Sequence, residues 1–310
     1  GLFFSILYED VIINKNIKVE QSRKTIELFH ENDMETRIYL IMGLPGETLE
    51  SYKNNWEILA SIKEPISILT WYCSVFPNAE LNDPLYKEKY KIKDYKSPMS
   101  IHGLKYSKKN EDIIIEYEDI VCETFSYNKK DIVEIGIFNW VMLVFHSWGI
   151  LEIIAHYFYD FYQISYVAFY EMFIQFCKSN KSFIFGEEYK KSYETISDGY
   201  NGKGWDCYDE DLGDVCWNVQ EIGWLRICMK KEKIKEEIMS FVKFLTDNND
   251  FILSNNDRFI LKDLINFQYF LISSPYETGE IKESFNVDWK KCFFLKEVVH
   301  PERFGVAELK

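Results

Sequence analysis

Positive charge is scarce in this 310-residue sequence: 36 lysines and arginines are set against 50 aspartates and glutamates, for a formal net charge of −14. A protein that grips a phosphate backbone normally carries a basic stripe, and none is present, so nucleic acid is not an expected partner. The lysine pairs Lys108–Lys109, Lys129–Lys130 and Lys230–Lys231 read as solvated helix ends. A hydrophobic run of spanning length is also lacking. Ile135 to Leu151 is 17 residues without a formal charge, short of the ~20 needed to cross hydrocarbon. Asn139, His146 and Ser147 interrupt it and Glu152 follows, so it reads as a buried helix of a soluble domain. The seven cysteines, from Cys73 to Cys292, are odd in number and follow no framework spacing. With no signal peptide, that composition points to a reducing cytoplasm.

Several chemical signatures are absent as well. There is no G-x-S-x-G elbow and no P-loop. Gly199-x-x-Gly202-x-Gly204 does not lead a strand into a helix as a dinucleotide fingerprint does. Asp206, Asp209, Glu210, Asp211 and Asp214 cluster without the spacing of a calcium loop and read as a solvated loop. His146 and His156, ten positions apart, do not share an i, i+4 metal face and read as satisfied core or boundary histidines. The aromatic stretch 157–173 is too continuous for a ligand stripe and reads as packing. Neither an internal repeat nor a low-complexity tract occurs.

What is abundant is material for a core. Hydrophobic residues make up 47% of the chain and aromatic residues 17%, which excludes disorder, and the length allows one large or two ordinary domains. The chain opens Gly-Leu-Phe-Phe, without methionine or a polar lead-in, and so reads as a truncated start. Leu2 to Tyr8 is expected as a strand, Val19 to Glu31 as a helix and Thr36 to Met42 as a strand. Thr48 can cap a helix bearing Tyr52, Trp56, Leu59 and Ile62, and Ile66 to Phe76 is a third strand. This β-α-β-α-β order is that of a parallel sheet with crossover helices. Such sheets have covered edges, so the apolar first strand is expected to meet a partner that is the rest of a barrel.

Beyond Pro77 the pattern changes. Residues 77–110 read as loop-rich, 110–177 as aromatic-laden helices, and 179–220 as a loop with an acidic stretch. Helices resume at Lys230–Asn248 and Asp257–Phe270, and short strands such as Ser284–Asp288 come last. The expected fold class is α/β followed by mostly α, with one domain over 1–105 and a mainly helical one over 106–310.

The sharpest motif is Gly43-Leu44-Pro45-Gly46-Glu47-Thr48, between a strand and a helix. Glycine permits a tight turn and close approach of backbone to a ligand, and ligands of α/β barrels bind at the carboxyl ends of the strands. A purely structural β-to-α turn satisfies the same pattern. Ile41 and Gly43 followed by GLPGET resemble the fifth-strand motif of the radical S-adenosylmethionine superfamily, where an isoleucine and a glycine lie against the adenine of the cofactor. The usual glutamate stands one position earlier than Glu47. Gly1 to Tyr8 then resembles the fourth strand, with Ser5 near a serine that contacts the cofactor and Leu7 where a glutamine is usual. Ile66 to Phe76 would be the sixth.

Phe76-Pro-Asn-Ala-Glu-Leu-Asn-Asp-Pro-Leu-Tyr-Lys-Glu-Lys-Tyr90 resembles the loop after the barrel in cobalamin-binding radical enzymes. Gly204–Gln220, Leu264–Phe270 and Phe285–Trp289 resemble their C-terminal extension. The resemblance implies the C-terminal half of a partial (β/α)6 barrel followed by a helical extension. It implies S-adenosylmethionine, a 4Fe–4S cluster and cobalamin in the parent protein, and a deoxyadenosyl radical that attacks an unactivated carbon, with methylation as one outcome. A small-molecule or carrier-bound substrate and a reductant such as flavodoxin or ferredoxin follow from it. Ser5, Ile41, Gly43 and Glu47 would contact the cofactor, and Asn78 and Asn82 would line the substrate side. The family's C-x-x-x-C-x-x-C is absent, so no cluster or cobalamin ligand and no catalytic residue is assigned, and the chain alone is expected to be inactive. Two alternatives remain open: a non-catalytic module that docks onto a cluster-bearing partner, and a helical interaction protein whose GLPGET turn is only structural.

Overall fold

In the first hundred residues three short strands pair in parallel in the order β1-β2-β3 (Leu2–Phe4, Thr36–Met42, Ile66–Tyr72). The computed structural model describes residues 2–4, 19–32, 34, 36–62, 66–106, 114–249, 251, 253–278, 282–294 and 307–309. They fall into two compact units, Gly1–Trp140 with Lys191–Ile222, and Val141–Lys190 with Gly223–Lys310. The protein is α/β with a helical C-terminal half.

The period of two along β2 and β3 gives the sheet two unlike faces. Ile38, Leu40, Met42 and Ile68 are buried, whereas Arg37, Leu69 and Trp71 on the other face are exposed. Helices α1 (Val19–Glu31) and α2 (Leu49–Ala60) make the crossovers. Thr48 caps α2 in a capping box: its hydroxyl accepts from Ser51 N at 3.0 Å, and Ser51 Oγ accepts from Thr48 N at 2.8 Å. This satisfies two donors that the first turn otherwise leaves open. Among the described residues no strand pairs with the outer edge of β1 or of β3, and no barrel closes.

The third strand departs from expectation. Ile66 to Phe76 is not one strand but two, broken at Cys73. Cys73 N donates to Met42 O at 3.1 Å, while its carbonyl accepts from Val121 N at 2.9 Å. Its two peptide groups thus serve different sheets, and β4 (Ser74–Val75) belongs to an antiparallel sheet of order β4-β6-β5, with β6 Tyr117–Glu123 and β5 Lys93–Pro98. The stretch expected as loop also holds helix α3 (Pro84–Tyr90), whose cap Asp83 accepts from Leu85 N and Tyr86 N with Pro84 in the first turn, as cap and proline preferences dictate. Helix α4 (Lys129–Val141) is tied to this unit by Asn139, which accepts from Tyr52 Oη at 2.7 Å and donates to Thr70 Oγ1 at 3.0 Å.

The second unit is helical: α5 Glu152–Tyr162, α6 Tyr166–Ser179, the start of α7 (Ile184–Gly199), most of α8 (Val219–Met229), α9 Lys231–Asn248, α10 Asn255–Leu271 and α11 Trp289–Phe294. A small sheet pairs β7 (Glu283–Phe285) with β8 (Ala307–Leu309). The buried carboxylate of Asp263 on α10 accepts from Asn286 N and Nδ2, Val287 N and Trp289 Nε1, at 2.8–3.2 Å. Those bonds fasten the segment leading into α11. The uncharged run Ile135–Leu151 is almost wholly buried, and no single helix among the described residues is long and apolar enough to cross a membrane.

Candidate functional site

The GLPGET turn lies at the carboxyl end of β2, buried from Gly43 to Glu47. Gly43 and Gly46 have φ of +87° and +96°, the left-handed region that a residue with a Cβ rarely adopts. At Gly43 glycine is required twice over. A Cβ there would lie 2.9 Å from both Ile132 Cδ1 and Tyr127 Oη. The tight side of the turn is therefore filled by this chain's own residues.

Both peptide groups of Gly43 are engaged. Its N–H donates to Glu47 Oε2 at 2.8 Å, and its carbonyl accepts from the Tyr127 hydroxyl. Gly46 N donates to Ser126 Oγ at 3.0 Å. The segment between β6 and α4 thus clamps the turn from behind. Glu47 is 2% exposed, and burial pushes its carboxyl up to about 8, an effect the Gly43 N–H partly offsets. Burial, reinforced by the Glu47 charge, pushes the nearby Cys73 thiol to about 12. Neither group offers a ready nucleophile at neutral pH.

In front of the turn lies the open sheet face. Ile41 stands in register with Trp71, and Tyr39 with Leu69; Trp71 is 58% exposed and Leu69 38%. These side chains share one face of a parallel sheet and form an apolar platform beside the turn. Trp71 was not singled out in the sequence; its two-residue spacing from Leu69 within Ile66–Tyr72 is the signal that could have found it. Tyr127, Ser126 and Ile132 carried no signal, because they lie some 80 residues away in sequence.

The expected site residues distribute as follows. Ile41, Gly43 and Glu47 lie together along the end of β2 and its turn. Asn78 and Asn82 line one open recess of ≈860 Å³ together with Glu80, Asp83, Leu85 and Tyr86. Asn82 Nδ2 donates to Pro77 O at 3.2 Å, closing the loop on itself. Ser5 lies outside the described residues. In the acidic stretch Asp206 Oδ1 accepts from Ser100 Oγ and Ile101 N, and Asp209 accepts from Asp211 N. Among the described residues no three histidine, cysteine or carboxylate side chains come together as a metal site.

No family model matches the sequence. Two curated relatives do. Over 96% of its length the chain is 24% identical to a 2-(S-pantetheinyl)-carbapenam-3-carboxylate methyltransferase of Streptantibioticus cattleyicolor, covering 45% of that protein. It is 21% identical, again over 96% of its length, to the cobalamin-dependent radical SAM methyltransferase TokK of Streptomyces tokunonensis, covering 44%. The chain is thus similar along nearly all its length to two methyltransferases, and spans less than half the length of either.

Proposed function

We propose that this chain is the C-terminal portion of a cobalamin-dependent radical S-adenosylmethionine methyltransferase, and that β1–β3 form half of its barrel. The observation that carries this reading is the open sheet face beside the Gly43 turn, where Ile41 and Trp71 stand in register at the carboxyl ends of two parallel strands. Ligands of parallel α/β folds bind beyond those ends, and a half-exposed apolar platform suits a planar base such as adenine. Ile41 would flank the base, and Trp71 would extend the wall on the next strand. The Gly43 N–H is taken by Glu47 and its carbonyl already accepts from Tyr127. The turn would therefore act by shape, keeping the end of β2 flat and close. Ser5 would contribute a further contact to the cofactor.

S-adenosylmethionine with its 4Fe–4S cluster and cobalamin would supply radical hydrogen abstraction and methyl transfer. In this reading the cluster's C-x-x-x-C-x-x-C thiolates, a spacing this sequence lacks, and the cobalamin site would be supplied by the rest of the parent protein. Both relatives are named as methyltransferases, which favours methylation over the other reactions that such parts perform. Asn78 and Asn82 would meet polar groups of a small-molecule or carrier-bound substrate at the recess. A flavodoxin or ferredoxin would deliver the electron.

The test uses the protein encoded by the whole open reading frame, with iron and sulfide restored. Supplied with S-adenosylmethionine and dithionite, it should release 5′-deoxyadenosine, and Ile41→Asp should lower both that yield and S-adenosylhomocysteine affinity by roughly tenfold or more. A reading frame without C-x-x-x-C-x-x-C upstream, or an Ile41→Asp variant with unchanged affinity, overturns the reading.

A further inference from the structure

Helix α4 reaches, from behind, both strands that carry the open platform. Ile132 and Asn139 stand two turns apart on one face of it, and both are fully buried. Ile132 abuts the end of β2: its Cδ1 lies 2.9 Å from the place that a Cβ would take at Gly43. Asn139 meets β3, where its Nδ2 donates to Thr70 Oγ1 at 3.0 Å. Its Oδ1 accepts from Tyr52 Oη at 2.7 Å, on the helix that follows the GLPGET turn.

A buried amide is costly where packing alone is at stake. Ile135, Phe138 and Trp140 around it on α4 are buried and apolar, and a leucine would bury more apolar surface without needing two partners. What a fully bonded amide adds is a defined geometry for the groups it joins. Here it acts on an edge. Among the described residues β3 pairs with β2 alone, so the ladder restrains one side of the strand and leaves it able to rock about its own axis. Thr70 and Trp71 are consecutive, and alternation sends them to opposite faces. A bond that holds Thr70 on the buried face therefore sets the attitude of the Trp71 ring on the open one.

We propose that Asn139 is a positioning residue for the base-binding platform, with α4 as the spacer between its two walls; this rests on the reading of that platform as the cofactor's base site. Ile132 bounds the end of β2 by contact, Asn139 tethers β3 by a directional bond, and the rigid helix fixes the distance between the two. Tyr52 holds the other end of the amide, so that it cannot turn away from Thr70. Asn139 itself never meets the base; it acts through Thr70 on Trp71. Loss of the tether leaves the ladder and its register intact but frees the Trp71 ring to sample tilts, only some of which stack on a planar base. The apparent affinity then falls by the fraction of chains still in the competent tilt.

The experiment uses the protein encoded by the whole open reading frame, with its cluster restored. It measures equilibrium binding of S-adenosylhomocysteine and of 5′-methylthioadenosine, which lacks the amino-acid end. Thr70→Val, which removes the hydroxyl and keeps the branched shape, should weaken both ligands by the same factor, roughly fivefold. Asn139→Leu should do likewise, and the double variant should bind no more weakly than either single. Thr70→Ser, which restores the hydroxyl, should bind as the wild type does. Asp263→Ala, in the second unit, controls for lost stability and should leave both affinities unchanged. Melting curves check folding; where Asn139→Leu unfolds, Thr70→Val and Thr70→Ser decide. Binding that is lost in Ile41→Asp but unchanged in folded Thr70→Val overturns this proposal and leaves the platform reading in place, as does an equal loss in Thr70→Ser or Asp263→Ala. A wild type that binds neither ligand, or an Ile41→Asp variant that binds both as well as the wild type, removes the reading and this proposal with it.

Discussion

Tyr127 donates its phenolic hydrogen to the carbonyl of Gly43, 84 residues earlier in the chain. One bond thus joins the segment entering α4 to the tightest point of the GLPGET turn. Both partners are buried, so the carbonyl has no water to fall back on.

Tyr127→Phe should therefore destabilise the protein by about 1–3 kcal/mol, the cost of stranding a buried acceptor. Urea unfolding followed by Trp fluorescence measures it. A loss below a few tenths of a kcal/mol would mean that the carbonyl finds another donor.

Gly43→Ala combines a left-handed backbone with a contact 2.9 Å from Ile132 Cδ1, and about 2–4 kcal/mol of destabilisation is expected. Ile132→Val removes that methyl group. Because the two sites touch, the double variant should be less destabilised than the sum of the singles. Strict additivity would show that backbone strain or the Tyr127 hydroxyl, not the Ile132 methyl, sets the cost.

Glu47 titrates at about 8 in the folded protein, against an ordinary 4.5. Between those values the native state holds a proton that the unfolded chain has released. The contribution of this group is fully present below 4.5, falls as pH rises to about 8 by at most ~1.4 kcal/mol per pH unit, and then levels. Glu47→Gln, which stays neutral, should flatten that slope. Urea midpoints across the window, in wild type and variant, decide it; equal slopes would assign the effect to another group.

Asp263→Ala strands the peptide N–H of Asn286 and Val287 and the Trp289 indole. Leaving these buried donors unsatisfied should cost about 1–3 kcal/mol or more. Limited proteolysis should then cut between α10 and α11 faster than in the wild type. An unaltered digestion pattern would show that the Phe267–Trp289 ring stacking holds the segment without the carboxylate.

Where signals are local, residues announced their structure. The bounds of α1 and β2 follow from apolar period, and Thr48 marks the start of α2. β5 was hidden because Lys93, Asp94 and Lys96 break the apolar run, and β6 because Glu118 and Asp119 do the same. The break at Cys73 was invisible, since the run continues to Phe76 with only Ser74 interrupting it and no glycine or proline. Only the division of its peptide groups, N–H to Met42 and carbonyl to Val121, creates it.

The amino-acid sequence by itself determined the βαβαβ order, the capped helix after the GLPGET turn and the apolar helices that follow, because period and capping act within a few residues. Tertiary structure alone decided that Tyr127 and Ile132 close the back of that turn, that Trp71 stands beside Ile41, and that Asn139 joins Tyr52 to Thr70. Those relations depend on which faces pack together, and two residues tens of positions apart carry no mark of one another until the backbone brings them within reach.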